Sequence, residues 1–292
     1  MSPSVLLHVV VSGLATGSIY ALVALSLVII YNATHTVNFA QGDMLMVSAF
    51  VAWSANQGLG LPLPVALGCA VGAGALLGLL VERAIIRRAI SATHWDVLII
   101  TLGLSLVLRS GAGIVWTNDE LPFPALFSNR PVSLGPVRVA PVSLGIIGAS
   151  LALMLALVAF FHATRLGRAM RAVAQSQTAA RLMGVSVSRI FSLTWAISAG
   201  IGGVAGVLIA PIIYLDPNLG FIGVKAFAGA ILGGFGSIPG AIVGGMLLGV
   251  IENLSGYFFN AGIKQVSTYI LLILVLVVRP AGLFGAAPVR RV

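Results

Sequence analysis

Charged residues are scarce in this chain. Only 8% of its 292 residues are Asp, Glu, Lys or Arg, whereas an ordinary soluble domain has about 25%. A chain with so little charge and with 59% hydrophobic residues cannot cover a surface that faces water. We therefore predict an all-α integral membrane protein, a polytopic helix bundle that contacts membrane lipid.

The residue patterns of most enzymes are also missing. The single cysteine, Cys69, excludes an intramolecular disulfide and a cysteine-rich metal site. The two lysines, Lys225 and Lys264, stand outside any GxxxxGK[S/T] phosphate-binding loop, and the histidines have no metal-ligand spacing. No GxSxG motif occurs either. The sequence predicts no catalytic residue, no metal and no cofactor in this chain, so ATP would have to be bound by a partner subunit.

Acidic residues are absent from the longest polar interruption, residues 166–189. This segment carries four arginines: Arg168, Arg171, Arg181 and Arg189. Each arginine costs roughly 2.5–3.5 kcal/mol at the centre of a membrane helix, so the segment stays in water, and a basic loop without acids is typical of the cytoplasmic side. Its Ala-rich middle, which ends at Gly184, favours a helix and indicates a docking surface for a soluble partner.

The net charge of +9 does not indicate a nucleic-acid partner. The basic residues fall between apolar runs instead of forming one patch with interleaved aromatic residues. The excess of basic residues in cytoplasmic loops accounts for them.

The apolar runs predict about eight spans together with broken or re-entrant helices, because a span needs about 20 mostly apolar residues. The runs are near Val5–Ile30, Val37–Trp53, Leu63–Val81, Val97–Val115, Val142–Phe161, Ile190–Ile209, Phe221–Ile251 and a last helix that ends at Arg279. Basic residues at Arg83–Arg88, Arg290 and Arg291 predict further cytoplasmic segments. The charge-balanced loop Trp116–Pro141, which includes Arg130, is then outside.

Two interruptions break the helical pattern. Asn32–Asp43 places several polar side chains between apolar runs, and Gly233–Gly240 divides a Gly-rich apolar region. Val224–Leu232 is too short to span alone, which predicts a half-helix or re-entrant hairpin that is buried in protein or faces a cavity. Each break follows a long helix by a comparable interval, an arrangement that an internal repeat would produce.

Six polar residues in or near apolar runs are candidates for a transport path: Asn32, Asn38, Gln41, Asp43, Glu252 and Asn253. The alternative for the first group is capping of a helix that begins near Gly42, or hydrogen bonding inside the bundle. The alternative for the last two is a position at the membrane interface. Arg109 and Lys225 are costly where they fall unless they are paired or lie at the membrane interface, and the sequence does not decide between Asp43 and Glu252 as their partners.

Glycines spaced four residues apart predict close helix packing. There are six such pairs: Gly13/Gly17, Gly68/Gly72, Gly74/Gly78, Gly202/Gly206, Gly240/Gly244 and Gly245/Gly249. This number favours a compact bundle over separate anchors.

Three blocks, at Gly17–Met46, Gly167–Leu208 and Lys225–Gly245, resemble the permeases of bacterial high-affinity branched-chain amino acid ABC importers. The resemblance covers nearly the whole chain. It implies a single transmembrane permease domain, 1–292, in the bacterial inner membrane. The implied partners are a second homologous permease, two cytoplasmic ATPase subunits and a periplasmic substrate-binding protein.

The same resemblance implies that a coupling segment, residues 163–189, contacts the ATPase. Its candidate contact residues are Arg171, Gln175, Ala179, Ala180, Arg181, Met183 and Gly184.

The chain departs from the family pattern at two positions. Gln41 stands where many members have His, and Ser176 where many have Asn. Gln41 cannot titrate, which argues against a proton-linked role there. The expected substrates are branched-chain or related hydrophobic amino acids; urea, short amides and aromatic acids are the alternatives within this family. A different class, an ion-coupled secondary transporter, would need Asp43 and Glu252 as coupling carboxylates.

Overall fold

The computed structural model of the chain describes residues 3–89, 94–127, 132–134 and 137–285. Arg130, Arg290 and Arg291 lie outside the described residues, so the orientation arguments that use them stay predictions. The α-helices are α1 (Pro3–Thr34), α2 (Gln41–Trp53), α3 (Leu63–Val81), α4 (His94–Val115), α5 (Pro141–Ala163), α6 (Arg165–Gln175), α7 (Gln177–Leu182), α8 (Val187–Ile213), α9 (Ile222–Gly233), α10 (Ile238–Phe258) and α11 (Ala261–Val278).

Short irregular elements complete the description. π-Helical turns extend α2 over Ser54–Gly58 and α3 over Glu82–Ile86, and a 3-10 turn at Pro217–Phe221 precedes α9. Two three-residue strands, β1 (Val132–Leu134) and β2 (Val137–Val139), pair antiparallel inside the polar loop between α4 and α5.

Seven of the described helices are long and apolar enough to cross a membrane, which confirms the polytopic helix bundle. They are α1, α3, α4, α5, α8, α10 and α11. The count is one below the eight apolar runs because the second run forms the 13-residue helix α2. Its continuation, Ser54–Gly58, is polar rather than apolar, so the run never reaches the length of a full span.

The Gly-rich region is interrupted where the sequence predicted it. α9 has only 12 residues and ends at Gly233, and α10 begins at Ile238. Gly234 and Gly236 have φ values of +109° and +105°, which side chains with a Cβ rarely adopt. The backbone N–H groups of Leu283 and Phe284 donate to the carbonyl oxygens of Leu232 and Gly233. The end of this half-helix is therefore closed by backbone hydrogen bonds.

The described residues form two compact units. The first takes in the described parts of Met1–Val28, Pro124–Leu151 and Val224–Val292, and the second those of Ile29–Phe123 and Ala152–Gly223. In the first unit α1 packs closely on α10: a Cβ on Gly13 would lie 2.9 Å from Val250 Cα, and a Cβ on Gly17 would lie 2.9 Å from Met246 Cα. The small residues allow this approach, as the spacing predicted.

In the second unit α2, α3 and α8 pack against one another around buried apolar side chains that include Ile30, Met44 and Trp195. Gly74 and Gly78 of α3 face the backbone of α8 at Ala199 and Trp195. The predicted pair Gly68/Gly72 does not mediate helix packing within this chain, because a Cβ at either position would meet nothing within 4 Å.

Candidate functional site

The beginning of α2 holds a buried cluster of amide side chains. Asn38 Nδ2 donates to Gln41 Oε1 at 3.2 Å, and Gln41 Nε2 donates to the carbonyl oxygen of Ser198 at 3.1 Å. Asn38 and Gln41 are only 0% and 1% exposed. Because Ser198 lies in the middle of α8, this cluster joins the first polar break to α8.

Asp43, in the first turn of α2, has hydrogen-bond partners on both of its carboxylate oxygens. Its Oδ1 accepts from Arg109 Nε at 3.2 Å and from Arg109 Nη2 at 3.0 Å, and its Oδ2 accepts from the Ser105 hydroxyl. The Arg109 guanidinium lies 4.0 Å above the centre of the Phe221 ring. The two hydrogen bonds from the guanidinium to Oδ1, the one from Ser105 to Oδ2 and the cation–π contact together compensate a charge pair that is largely removed from water.

Helix capping does not account for these polar residues. The residue at the N-terminal cap of α2 is Ala40, and no side chain caps this helix. Asn38, Gln41 and Asp43 instead make hydrogen bonds inside the bundle, which was the other alternative to a transport path. Asn32 is half-buried in the last turn of α1.

Glu252 of α10 forms the corresponding charge pair of the first unit. Its Oε1 accepts from Lys225 Nζ at 2.6 Å, and Lys225 also lies 5.9 Å from the centre of the Tyr20 ring. The other oxygen, Oε2, is buried and has no hydrogen-bond partner among the described residues. Asn253 donates to the carbonyl oxygen of Gly249 one turn earlier. The pairing that the sequence left open is thus Asp43 with Arg109 and Glu252 with Lys225.

The coupling segment folds as two short helices, α6 and α7. Thr164 caps α6 by accepting from Gly167 N, and Ser176 caps α7 by accepting from Ala179 N. Ser and Asn are both good N-terminal caps, so Ser176 can perform the capping role that Asn would have at this position. Gly184, with φ +81°, ends α7 in the left-handed conformation that favours glycine.

The coupling segment presents apolar side chains at its tip. Leu182 and Met183 are 84% and 83% exposed, and they directly follow Arg181 outside the candidate membrane spans. Arg171, Gln175, Ala179 and Arg181 are exposed as well, whereas Ala180 is only 3% exposed and packs inward. Leu182, which was absent from the sequence-based candidates, is thus as exposed as Met183, whereas the candidate Ala180 is buried in this chain.

Two contacts link the coupling segment to the rest of the second unit. Gln177 Nε2 donates to the carbonyl oxygen of Ala33 at 3.3 Å, at the beginning of the first polar break. At the start of α8, Arg87 Nη2 donates to the carbonyl oxygen of Ser188 at 3.3 Å, and Arg87 also forms a salt bridge with the buried Glu82 carboxylate at 2.9 Å. The coupling segment is therefore hydrogen-bonded to the end of α1 and to the residue that follows the π-helical turn of α3.

Ser105, Ser198 and Gln177 could not be predicted from the sequence, because single Ser and Gln residues are common in any helix. Arg109 could have been paired with α2 only by knowing which helices are neighbours. Among the described residues, no group of three His, Cys, Asp or Glu side chains could hold a metal ion.

Known proteins resemble this chain along nearly its whole length. The family described as branched-chain amino acid transport system permease component matches residues 9–278. The high-affinity branched-chain amino acid transport system permease protein LivH of Salmonella typhimurium is 33% identical over 96% of each chain, and BraD of Pseudomonas aeruginosa is 33% identical over 98% of each chain. No solved structure matches the chain. Together with seven apolar helices and an arginine-rich helical segment, these similarities show that the chain belongs to the permease family of branched-chain amino acid transport systems.

Proposed function

We propose that this chain is the membrane-spanning subunit of an ATP-driven importer in the bacterial inner membrane, and that it carries branched-chain or related hydrophobic amino acids. The observation that carries the proposal is the coupling segment, which exposes Leu182 and Met183 beside basic residues and is bonded to the spanning part of its own unit. A soluble ATPase subunit that binds Leu182 and Met183 would be connected through the coupling segment to α8 and to the end of α1.

The proposed partners are a second permease of the same family, two cytoplasmic ATPase subunits and a periplasmic substrate-binding protein. A second permease would supply the other wall of the path. The ATPase subunits would bind ATP, and this chain would contribute no catalytic group. Their closure would pull on α6 and α7, and the path would open alternately to the two sides of the membrane.

Within this chain we propose that the path uses the polar break between α1 and α2. Asn38 and Gln41 are uncharged donors and acceptors, which suit the passage of a neutral zwitterion better than a fixed charge would. Both candidate coupling carboxylates, Asp43 and Glu252, already lie in salt bridges with Arg109 and Lys225. This pairing weighs against an ion-coupled mechanism, which needs a carboxylate that binds and releases the ion.

The coupling role is tested by the double substitution Leu182→Glu/Met183→Glu in the assembled transporter. These side chains are exposed, so the change leaves packing intact, unlike a change at the buried Ala180 or at Gly184. We expect loss of co-purification with the ATPase and at least a tenfold loss of substrate-stimulated ATP hydrolysis, as for a charge placed in an apolar contact.

Leu59→Glu is the matched control, because Leu59 is also a highly exposed apolar residue, 75% exposed, at the opposite end of α3 from Arg83. It should leave ATPase association unchanged. Normal ATPase association in the Leu182/Met183 variant would contradict the coupling role. Uptake that continues without any ATPase and disappears with the ion gradient would favour the secondary transporter.

The substrate is tested separately by uptake of labelled leucine in cells that express the complete transporter. Competition by unlabelled isoleucine and valine at similar concentrations is expected. Competition by urea, short amides or aromatic acids, without competition by these amino acids, would move the chain to another substrate class of the same family.

A further inference from the structure

The C-terminal end of α3 with its π-helical turn and the beginning of α8 line a basic, half-open cavity in the second unit. Its volume is about 620 Å³, and its lining consists of three arginines, three serines and two leucines: Arg83, Arg87, Arg189, Ser186, Ser188, Ser192, Leu79 and Leu193. We propose that this cavity binds the phosphate of an anionic phospholipid. The proposal does not depend on what the chain transports.

The charges in the cavity favour an anion. Arg87 is neutralised, because it is in a salt bridge with the buried Glu82. Arg83 and Arg189 line the same cavity, and no salt bridge to either is found among the described residues. Two uncompensated guanidinium groups across one cavity match a phosphate diester, which accepts bidentate hydrogen bonds from arginine.

The hydroxyl groups add donors to the same space. Ser186 is the N-terminal cap residue of α8, but its side chain makes no capping hydrogen bond. The hydroxyl of Ser186 is therefore not used by the helix and lies in the lining of the cavity. These donors supplement the arginines, which carry the argument.

The position and the apolar wall of the cavity favour a lipid over a free phosphate. Arg83 and Arg189 lie at the ends of two candidate membrane spans, Leu63–Ile86 and Val187–Ile213. Leu79 and Leu193 lie one turn further along these spans, and Leu193 is 37% exposed. Basic pockets between spans on the cytoplasmic side are suited to anionic lipid head groups, with the apolar side chains facing the acyl chains.

The test uses native mass spectrometry of the full-length chain in detergent, titrated separately with phosphatidylglycerol, phosphatidylcholine and inorganic phosphate. We expect retention of phosphatidylglycerol over phosphatidylcholine. The variant Arg83→Gln/Arg189→Gln should bind phosphatidylglycerol about thirtyfold more weakly, since each arginine near a membrane surface contributes about fivefold in affinity. The charge-matched variant Arg165→Gln/Arg279→Gln, with both changes outside the cavity, should bind it as the unmodified chain does.

Each other result overturns the proposal. Equal losses in the two double variants would mean attraction to net charge without a site. Displacement of the lipid by millimolar inorganic phosphate would identify a free-phosphate site. Unchanged lipid binding in Arg83→Gln/Arg189→Gln, with lost co-purification of the ATPase, would mean that an acidic segment of that partner occupies the cavity.

Discussion

The two breaks in the helical pattern are held by different groups, the first by side chains and the second by backbone. The break between α1 and α2 depends on side chains, because Asn38 and Gln41 bond to each other and to the backbone of α8. The break between α9 and α10 depends on backbone, because glycines with positive φ turn the chain and residues 283 and 284 bond to the end of α9. A side-chain break can exchange its hydrogen bonds for those of a substrate, whereas a backbone break is a fixed turn.

The charge pairs of the two units also differ. Both carboxylate oxygens of Asp43 accept hydrogen bonds, from Arg109 and from Ser105, whereas Glu252 has one oxygen without a partner among the described residues. A fully satisfied buried pair holds its helices in one arrangement, and a partly satisfied one is easier to rearrange. We infer that the Asp43 pair is a structural brace and that the Glu252 pair is the more adaptable of the two.

The strongest test of this difference is Asp43→Asn. It leaves Arg109 largely buried without a counter-charge, and we expect a loss of about 3 kcal/mol in the free energy of unfolding. The measurement is the thermal unfolding midpoint in detergent. The double variant Asp43→Asn/Arg109→Gln should recover much of the loss; strictly additive losses would show that the two residues do not act as a pair.

The backbone break is tested by Gly234→Ala. The substitution puts a Cβ on a residue with φ +109° and brings it within 3 Å of the backbone of Gly285, so we expect a loss of about 2 kcal/mol. Gly68→Ala is the matched control, because a Cβ there meets nothing and a helical Gly→Ala change is neutral or slightly favourable. Equal unfolding midpoints for the two variants would argue against a strained turn at Gly234.

Glu252→Gln should have a smaller effect on stability than Asp43→Asn. Lys225 is on a flexible side chain, 22% exposed, and can move its ammonium group toward water, so we expect a loss of about 1 kcal/mol. If this pair rearranges during transport, the variant should lose most of its substrate uptake even though its unfolding midpoint changes little. A loss of stability as large as that of Asp43→Asn would remove the distinction between the two pairs.

The smallest effect is expected for Gln177→Ala. This change removes one hydrogen bond, to Ala33, and should lower stability by at most about 1 kcal/mol. Substrate-stimulated ATP hydrolysis should persist while uptake per ATP falls, because the link from the coupling segment to the first break is weakened. Thr178→Ala, at the neighbouring exposed position, is the control. An unchanged ratio of uptake to hydrolysis would mean that Gln177 does not transmit the movement.

The amino-acid sequence was sufficient to predict the protein class, the two breaks and a helix in the arginine-rich segment. These follow from the cost of placing arginine in lipid, from the length of an apolar span and from glycine's freedom at positive φ, which are properties of local sequence. The folded chain was needed to show that Asp43 pairs with Arg109, that Glu252 pairs with Lys225 and that Arg83 and Arg189 share a cavity. These pairings depend on which helices are neighbours and on how each helix is rotated about its axis. Membrane helices are nearly uniformly apolar, so their sequences indicate little about either.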